Sequence, residues 1–179
     1  VYEMRGVMAT SSPSMDIQIS SNFERYLFEA SGADADLVAR QMQMLAQGRR
    51  FELSEEQVAG VRRDFVARAA SEGEVATTIR NTLASAGYML DPHTACGVHA
   101  AKMALQGRVP DDTARVVLAT AHPAKFPDAM ETITGMRPGL PERLTSLMTD
   151  AERYPVLGND LKEIQSYVEQ VSRSAGAPA

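Results

Sequence analysis

Cysteine is almost absent. Cys96 is the single thiol among 179 residues, which excludes an internal disulfide framework and suits a reducing compartment. Long apolar runs are missing too: no stretch approaches the ~20 apolar residues of a membrane-spanning helix, so a soluble chain with no membrane partner is expected. Basic clusters are lacking. The 18 Lys and Arg are scattered among 23 Asp and Glu, the formal net charge is −5, and nucleic acid would meet no basic face. Metal-ligand spacing is absent as well, since His93 and His99 lie six apart on an expected helix and do not share a face. What is there is an ordinary apolar fraction, 44%, sufficient for a real core in a chain sized for one domain. With no repeat and no boundary legible, residues 1–179 read as a single unit.

Caps and apolar spacing outline the elements. Residues 1–20 read as a loop with a short strand at Ile17–Ile19. Ser20 or Ser21 caps a helix that stops near Gly32. Asp34 or Asp36 opens a second, with Leu37, Val38, Met42 and Leu45 in a stripe and Gly48 at its end. Ser54 and Gln57 form a capping box ahead of a third, whose apolar positions are Val58, Val61 and Phe65. A fourth covers Glu74 to Ala86 with Val75, Ile79 and Leu83 on one face and Gly87 as its terminator. Asp91 and Pro92 suit the N-cap and first position of an Ala-rich helix to Gly107. The runs Tyr88–Leu90 and Arg115–Thr120 flank that helix, and the second is apolar without alternation, as a strand buried on both faces would be. Together they predict a βαβ unit and a parallel sheet whose other strands lie outside this sequence. The last helix carries Leu161, Ile164, Val168 and Val171 on one face.

In open parallel sheets ligands bind beyond the carboxyl ends of the strands. That rule points to Asp91-Pro92-His93-Thr94 and to Thr120-Ala121-His122-Pro123. Ser14, Ser20, Ser21 and Asn22 offer hydroxyl, amide and N–H donors to a phosphate or carboxylate, and Arg25 adds a forked cation; an ordinary capped helix accounts for the same residues. His93 either orients a substrate or is a satisfied structural histidine. Cys96 reads as a small buried residue, and Asp91 as a helix cap first of all.

Three strings carry a more specific signal: Pro13-Ser14-Met15-Asp16-Ile17 running to Ser20-Ser21-Asn22-Phe23-Glu24-Arg25, then Asp91-Pro92-His93-Thr94-Ala95, then Thr120-Ala121-His122-Pro123-Ala124-Lys125-Phe126. In that order they resemble threonine synthases of the microbial and fungal type. The resemblance implies an α/β fold, the mostly helical C-terminal portion of a tryptophan-synthase-like (fold type II) enzyme. It implies pyridoxal 5′-phosphate as cofactor, with Thr120 at the position whose hydroxyl meets the pyridine nitrogen, and Ser14, Ser20, Ser21, Asn22, Arg25 and His93 as candidate substrate contacts. The implied reaction takes O-phospho-L-homoserine and water to L-threonine and phosphate in the cytoplasm.

The family's Schiff-base lysine and phosphate-binding loop lie in its N-terminal half. None of Lys102, Lys125 and Lys162 matches that lysine. The resemblance therefore implies a C-terminal fragment that begins at Val1, carries no catalytic residue, is inactive alone, and has the missing N-terminal part of the same protein as its partner. It would be the C-terminal part of the large cofactor-binding domain with its closing helices. Two alternatives stand beside it: a related phospho-lyase acting on another amino-alcohol phosphate, and a non-catalytic helical interaction module.

Overall fold

Helix caps set most of the element boundaries. The computed structural model describes residues 1–107, 110 and 112–172, and the chain divides into two compact units, 1–139 and 140–179. The first opens with strand β1 (Tyr2–Glu3) and a 3₁₀ turn (Pro13–Met15), followed by α1 (Ser21–Ala30) and α2 (Ala35–Gly48). Strand β2 (Arg50–Phe51) then pairs antiparallel with β1, Tyr2 opposite Phe51. Helices α3 (Glu55–Asp64), α4 (Glu72–Ala86) and α5 (Pro92–Leu105) come next, then a 3₁₀ turn at Pro123–Lys125 and α6 (Pro127–Thr134). In the second unit, a short 3₁₀ turn (Glu142–Leu144) precedes α7 (Leu161–Val171), capped by Asp160. Among the described residues, no helix is long and apolar enough to cross a membrane.

The capping chemistry explains why these helices start where they do. The Asp34 side chain accepts from the Leu37 N–H, and Ser54 with Gln57 and Ser71 with Glu74 form reciprocal boxes. Gly87 ends α4 at φ 65°, a left-handed conformation that costs glycine nothing. Ser20 precedes α1 as expected, but its side chain makes no capping bond.

Two apolar cores form within the first unit. Leu27, Val38, Leu45 and Phe51 join α1, α2 and β2, with Tyr2 stacked on Phe23 at 5.2 Å. Val75, Ile79, Leu90, Ala95 and Met130 join α4, α5 and α6. At about 25 cal/mol per Å² of apolar area, these clusters are what holds short helices that would be marginal alone.

Several expectations need correcting. No strand pairing occurs at 88–90, at 115–120 or at Ile17–Ile19, and the β1–β2 ladder is the one sheet among the described residues. Val116 is 88% exposed and Leu118 77%, so the run expected to be buried on both faces lies open. A central strand needs a neighbour on each side, and no described segment supplies one. The mostly helical character stands; the βαβ pairing does not form here. The face of α3 also differs: Gln57 and Gly60 are buried, whereas Phe65 is 56% exposed. Gly60 packs where α3 meets α1: a Cβ there would make ordinary contact with the Tyr26 hydroxyl oxygen at 3.4 Å and the Ala30 Cβ at 3.9 Å.

The Ser71–Glu74 box yields a pH prediction. Hydrogen bonds from the Ser71 backbone N–H and then its hydroxyl hold the Glu74 carboxyl below its ordinary value. A depressed folded-state value means the contribution is present above the ordinary glutamate range and lost as pH falls through the lowered value. Glu74→Gln is expected to lower the melting temperature at neutral pH, with the gap to the parent narrowing in acid. A gap that widens on acidification would contradict this sign.

Candidate functional site

The first segment of the site is a knotted loop. Asp16 accepts from both the N–H and the hydroxyl of Thr10, each at 2.8 Å, and the Thr10 hydroxyl oxygen accepts from the Ser12 N–H at 3.0 Å. The chain then turns through Pro13–Met15 and presents Ser14. Ser11 ties the loop to Glu72 at the start of α4, and Ser12 Oγ lies 3.6 Å from Cys96 Sγ.

The second segment is the start of α5. Asp91, only 1% exposed, caps the helix: its Oδ1 accepts from the N–H groups of His93 and Thr94 at 2.9 and 3.4 Å. The same carboxylate also takes two side chains. His93 Nδ1 sits 3.2 Å from Oδ1, and the Thr94 hydroxyl donates to Oδ2. His93 and Thr94 are themselves buried, at 6% and 4% exposure. A carboxylate can be held this deep because donors surround it.

From here the cluster reaches both other segments. The Ser14 N–H donates to His93 Nε2 at 3.2 Å, across a separation of 79 residues. The Thr120 N–H donates to Thr94 Oγ1 at 3.2 Å, across 26 residues. Because Nε2 accepts, Nδ1 carries the proton and donates to Asp91, which assigns the Nδ1–H tautomer. The His93 ring leans on Phe126, ring centroids 4.7 Å apart.

The structure thus brings Ser14, His93 and Thr120 together. Thr120 is exposed, and among the described residues its hydroxyl makes no hydrogen bond while its N–H is held. The other candidates sit elsewhere. Ser20, Ser21, Asn22 and Arg25 are exposed at the first turns of α1, where Ser21 and Arg25 line a groove with Glu24 and Phe28. No hydrogen bond joins them to the Asp91 cluster among the described residues. His122 caps its own 3₁₀ turn, accepting from the Ala124 N–H at 3.1 Å, and Lys125 lies 5.9 Å from the Phe126 ring centroid. His99 faces Glu74, Nε2 to Oε1 3.6 Å.

From sequence, Thr94 stands out only as part of the Asp91–Thr94 string, with no role of its own, and Asp91 reads as a helix cap first of all. The signal for Thr94 was its place three residues after a buried N-cap, where a hydroxyl reaches back to the capping carboxylate. Nothing in the sequence pointed to its second partner, Thr120. Phe126 was quoted only as part of a string.

Comparison with known proteins gives the cluster a context. Residues 94–168 match the family model "Threonine synthase, C-terminal". Threonine synthase of Pseudomonas aeruginosa is 37% identical over 170 residues, spanning 94% of this chain and 36% of that protein. The crystal structure of pyridoxal-phosphate-bound threonine synthase from Brucella melitensis aligns with a TM-score of 0.75 at 49% identity, over 96% of this chain and 36% of that one. Yeast threonine synthase aligns at 0.71 with 31% identity, over 94% and 38%. The chain therefore spans a little over a third of the length of these relatives.

Proposed function

This chain belongs to the threonine synthase family, and we propose that the protein it contributes to converts O-phospho-L-homoserine and water to L-threonine and phosphate. That makes it a carbon–oxygen lyase acting on phosphates, dependent on pyridoxal 5′-phosphate. We assign it to the cytoplasm, which a chain with one cysteine suits. The chain is the C-terminal part of the large cofactor-binding domain and its closing helices, and the rest of that protein is its partner. The observation that carries the reading is the meeting of Ser14, the Asp91–His93–Thr94 turn and Thr120 at one buried carboxylate.

The residues present fit the cofactor. Thr120 keeps its N–H bonded and its hydroxyl open, so that hydroxyl can meet a pyridine nitrogen without setting a full charge beside it. When bound, pyridoxal phosphate supplies an electron sink for the carbanion chemistry. This chain's own residues orient and bind. Thr120 would offer its hydroxyl to the ring nitrogen, and Ser14 would present its hydroxyl from the anchored loop. Ser20, Ser21, Asn22 and Arg25 offer N–H, hydroxyl and guanidinium donors to the substrate's phosphate or carboxylate. His93 acts through the loop it holds, since both ring nitrogens are engaged by Asp91 and Ser14. The lysine that anchors the cofactor belongs to the remainder of the protein, and the 179 residues alone are expected to be inactive.

The test is phosphate release from O-phospho-L-homoserine by the full-length protein loaded with pyridoxal phosphate, with threonine assayed in parallel. Threonine in step with phosphate is expected. Phosphate without threonine, or no turnover by folded and loaded protein, overturns the assignment.

A further inference from the structure

We propose that Asp91 is a positioning residue that fixes two separate segments of the site at once, the Ser14 loop through His93 and the Thr120 backbone through Thr94. The proposal deepens the reading above and rests on it for its kinetic readout.

Four groups donate to the Asp91 carboxylate: the N–H groups of His93 and Thr94, the His93 Nδ1–H, and the Thr94 hydroxyl. Each side-chain bond fixes what the far side of that side chain can do. With its proton on Nδ1, His93 has a lone pair on Nε2, and the Ser14 N–H uses it. With its proton given to Oδ2, Thr94 Oγ1 is left as an acceptor, and the Thr120 N–H uses it. Both arms therefore run in one direction, from a backbone N–H through a side chain to the carboxylate. That direction needs an acceptor-only group at the centre.

An amide cannot serve both arms. If an asparagine oxygen faced His93, its NH₂ would face Thr94 Oγ1, leaving the threonine proton without an acceptor and competing with the Thr120 N–H. If the oxygen faced Thr94, the NH₂ would face His93 Nδ1, the ring would move its proton to Nε2, and Nε2–H would oppose the Ser14 N–H. One arm fails in either orientation. As a plain N-cap, however, asparagine equals aspartate. Asp91→Asn thus separates a positioning role from a capping one.

The experiment uses the full-length protein with pyridoxal phosphate and compares the parent with Asp91→Asn, Thr94→Val and Thr94→Ser. Melting temperature, cofactor absorbance on titration, kcat and KM are measured, and the His93 tautomer is read from histidine ¹⁵N shifts assigned with His93→Gln. In the parent, His93 is expected as Nδ1–H. Asp91→Asn should keep its helix cap and fold, melt below the parent because one buried arm is lost, and lose about tenfold or more in kcat/KM, the scale of one buried charge-assisted hydrogen bond. Thr94→Val should weaken cofactor binding and shift its absorbance, and Thr94→Ser should restore both. An Asp91→Asn protein with parental kinetics, absorbance and tautomer overturns the proposal, as does an Nε2–H tautomer in the parent. If the parent itself fails to turn over O-phospho-L-homoserine, the functional reading falls, while the tautomer and its response to Asp91→Asn still decide the positioning role.

Discussion

Ile79→Ala is expected to destabilise the protein by about 3 kcal/mol, within the range for emptying a fully buried aliphatic site. Ile79 has no exposed surface and sits on α4 among Val75, Leu90, Ala95 and Met130, which come from three helices and the turn before α5. Ala95 is short and Val75 is stiff at χ1, so only Leu90 and the more flexible Met130 could move toward the space. The cavity would open beneath the first turn of α5, where the cap and the site share the same residues. Ile79→Val, which removes one methyl group, should cost about 1 kcal/mol. Urea unfolding of the three proteins measures both values, and a loss under about 1 kcal/mol for the alanine variant would show that the helices close up around the gap.

A loss of similar size is expected from a change that keeps volume and removes only polarity. Gln57 is 1% exposed and fully engaged: Oε1 accepts from the Ser54 N–H at 3.0 Å and the Gln41 amide at 2.9 Å, while Nε2 donates to Ser31 Oγ at 2.8 Å and Gln41 Oε1 at 3.3 Å. Gln57→Leu fills the same space but leaves the Gln41 amide, itself 4% exposed, with its oxygen unpaired and its NH₂ on one long 3.4 Å bond to the Glu52 carbonyl, and it removes half of a capping box. One buried unsatisfied amide costs about 1–3 kcal/mol and a lost cap about 1, so about 3 kcal/mol is expected in total. The pair Gln41→Leu with Gln57→Leu should be more stable than Gln57→Leu alone, because the underpaired Gln41 side-chain amide is then gone as well. A double-mutant cycle measures that coupling; additivity within about 0.5 kcal/mol would mean the two amides do not depend on each other.

These two sites also mark how far the sequence could be read. Val75 and Ile79 stood out at helical spacing and are buried as expected. Asp34, Ser54, Asp91 with Pro92, and Gly87 marked helix ends correctly, because capping is local chemistry that the nearest residues decide. Gln57 stood out as a capping partner but not as a core residue, and Gly60 did not stand out at all. A pattern of apolar residues selects Val58, Val61 and Phe65, whereas α3 buries a satisfied amide and a glycine. The open run at 116–120 fails differently: its composition says it should be covered, and composition cannot name the cover. The two-residue strands β1 and β2 are too short to show any period. Ser14, His93 and Thr120 were singled out from loop chemistry, a family resemblance and a rule about strand ends whose strands do not form here. Thr94 was not, since its role depends on a backbone N–H 26 residues away.

The bond from Ser14 to His93 spans 79 residues, and the contact between Ser12 and Cys96 spans 84. Bringing such distant segments together spends chain entropy before any of their contacts returns it, whereas α2, α3 and α4 each close on residues a few positions apart. An order of assembly is expected from this difference: helices and their caps first, and the loop at residues 10–16 docking onto α5 after α4 and α5 have met. The site would then be a late product of folding, with the Ser14 amide gaining its shelter from solvent exchange in the step that completes it.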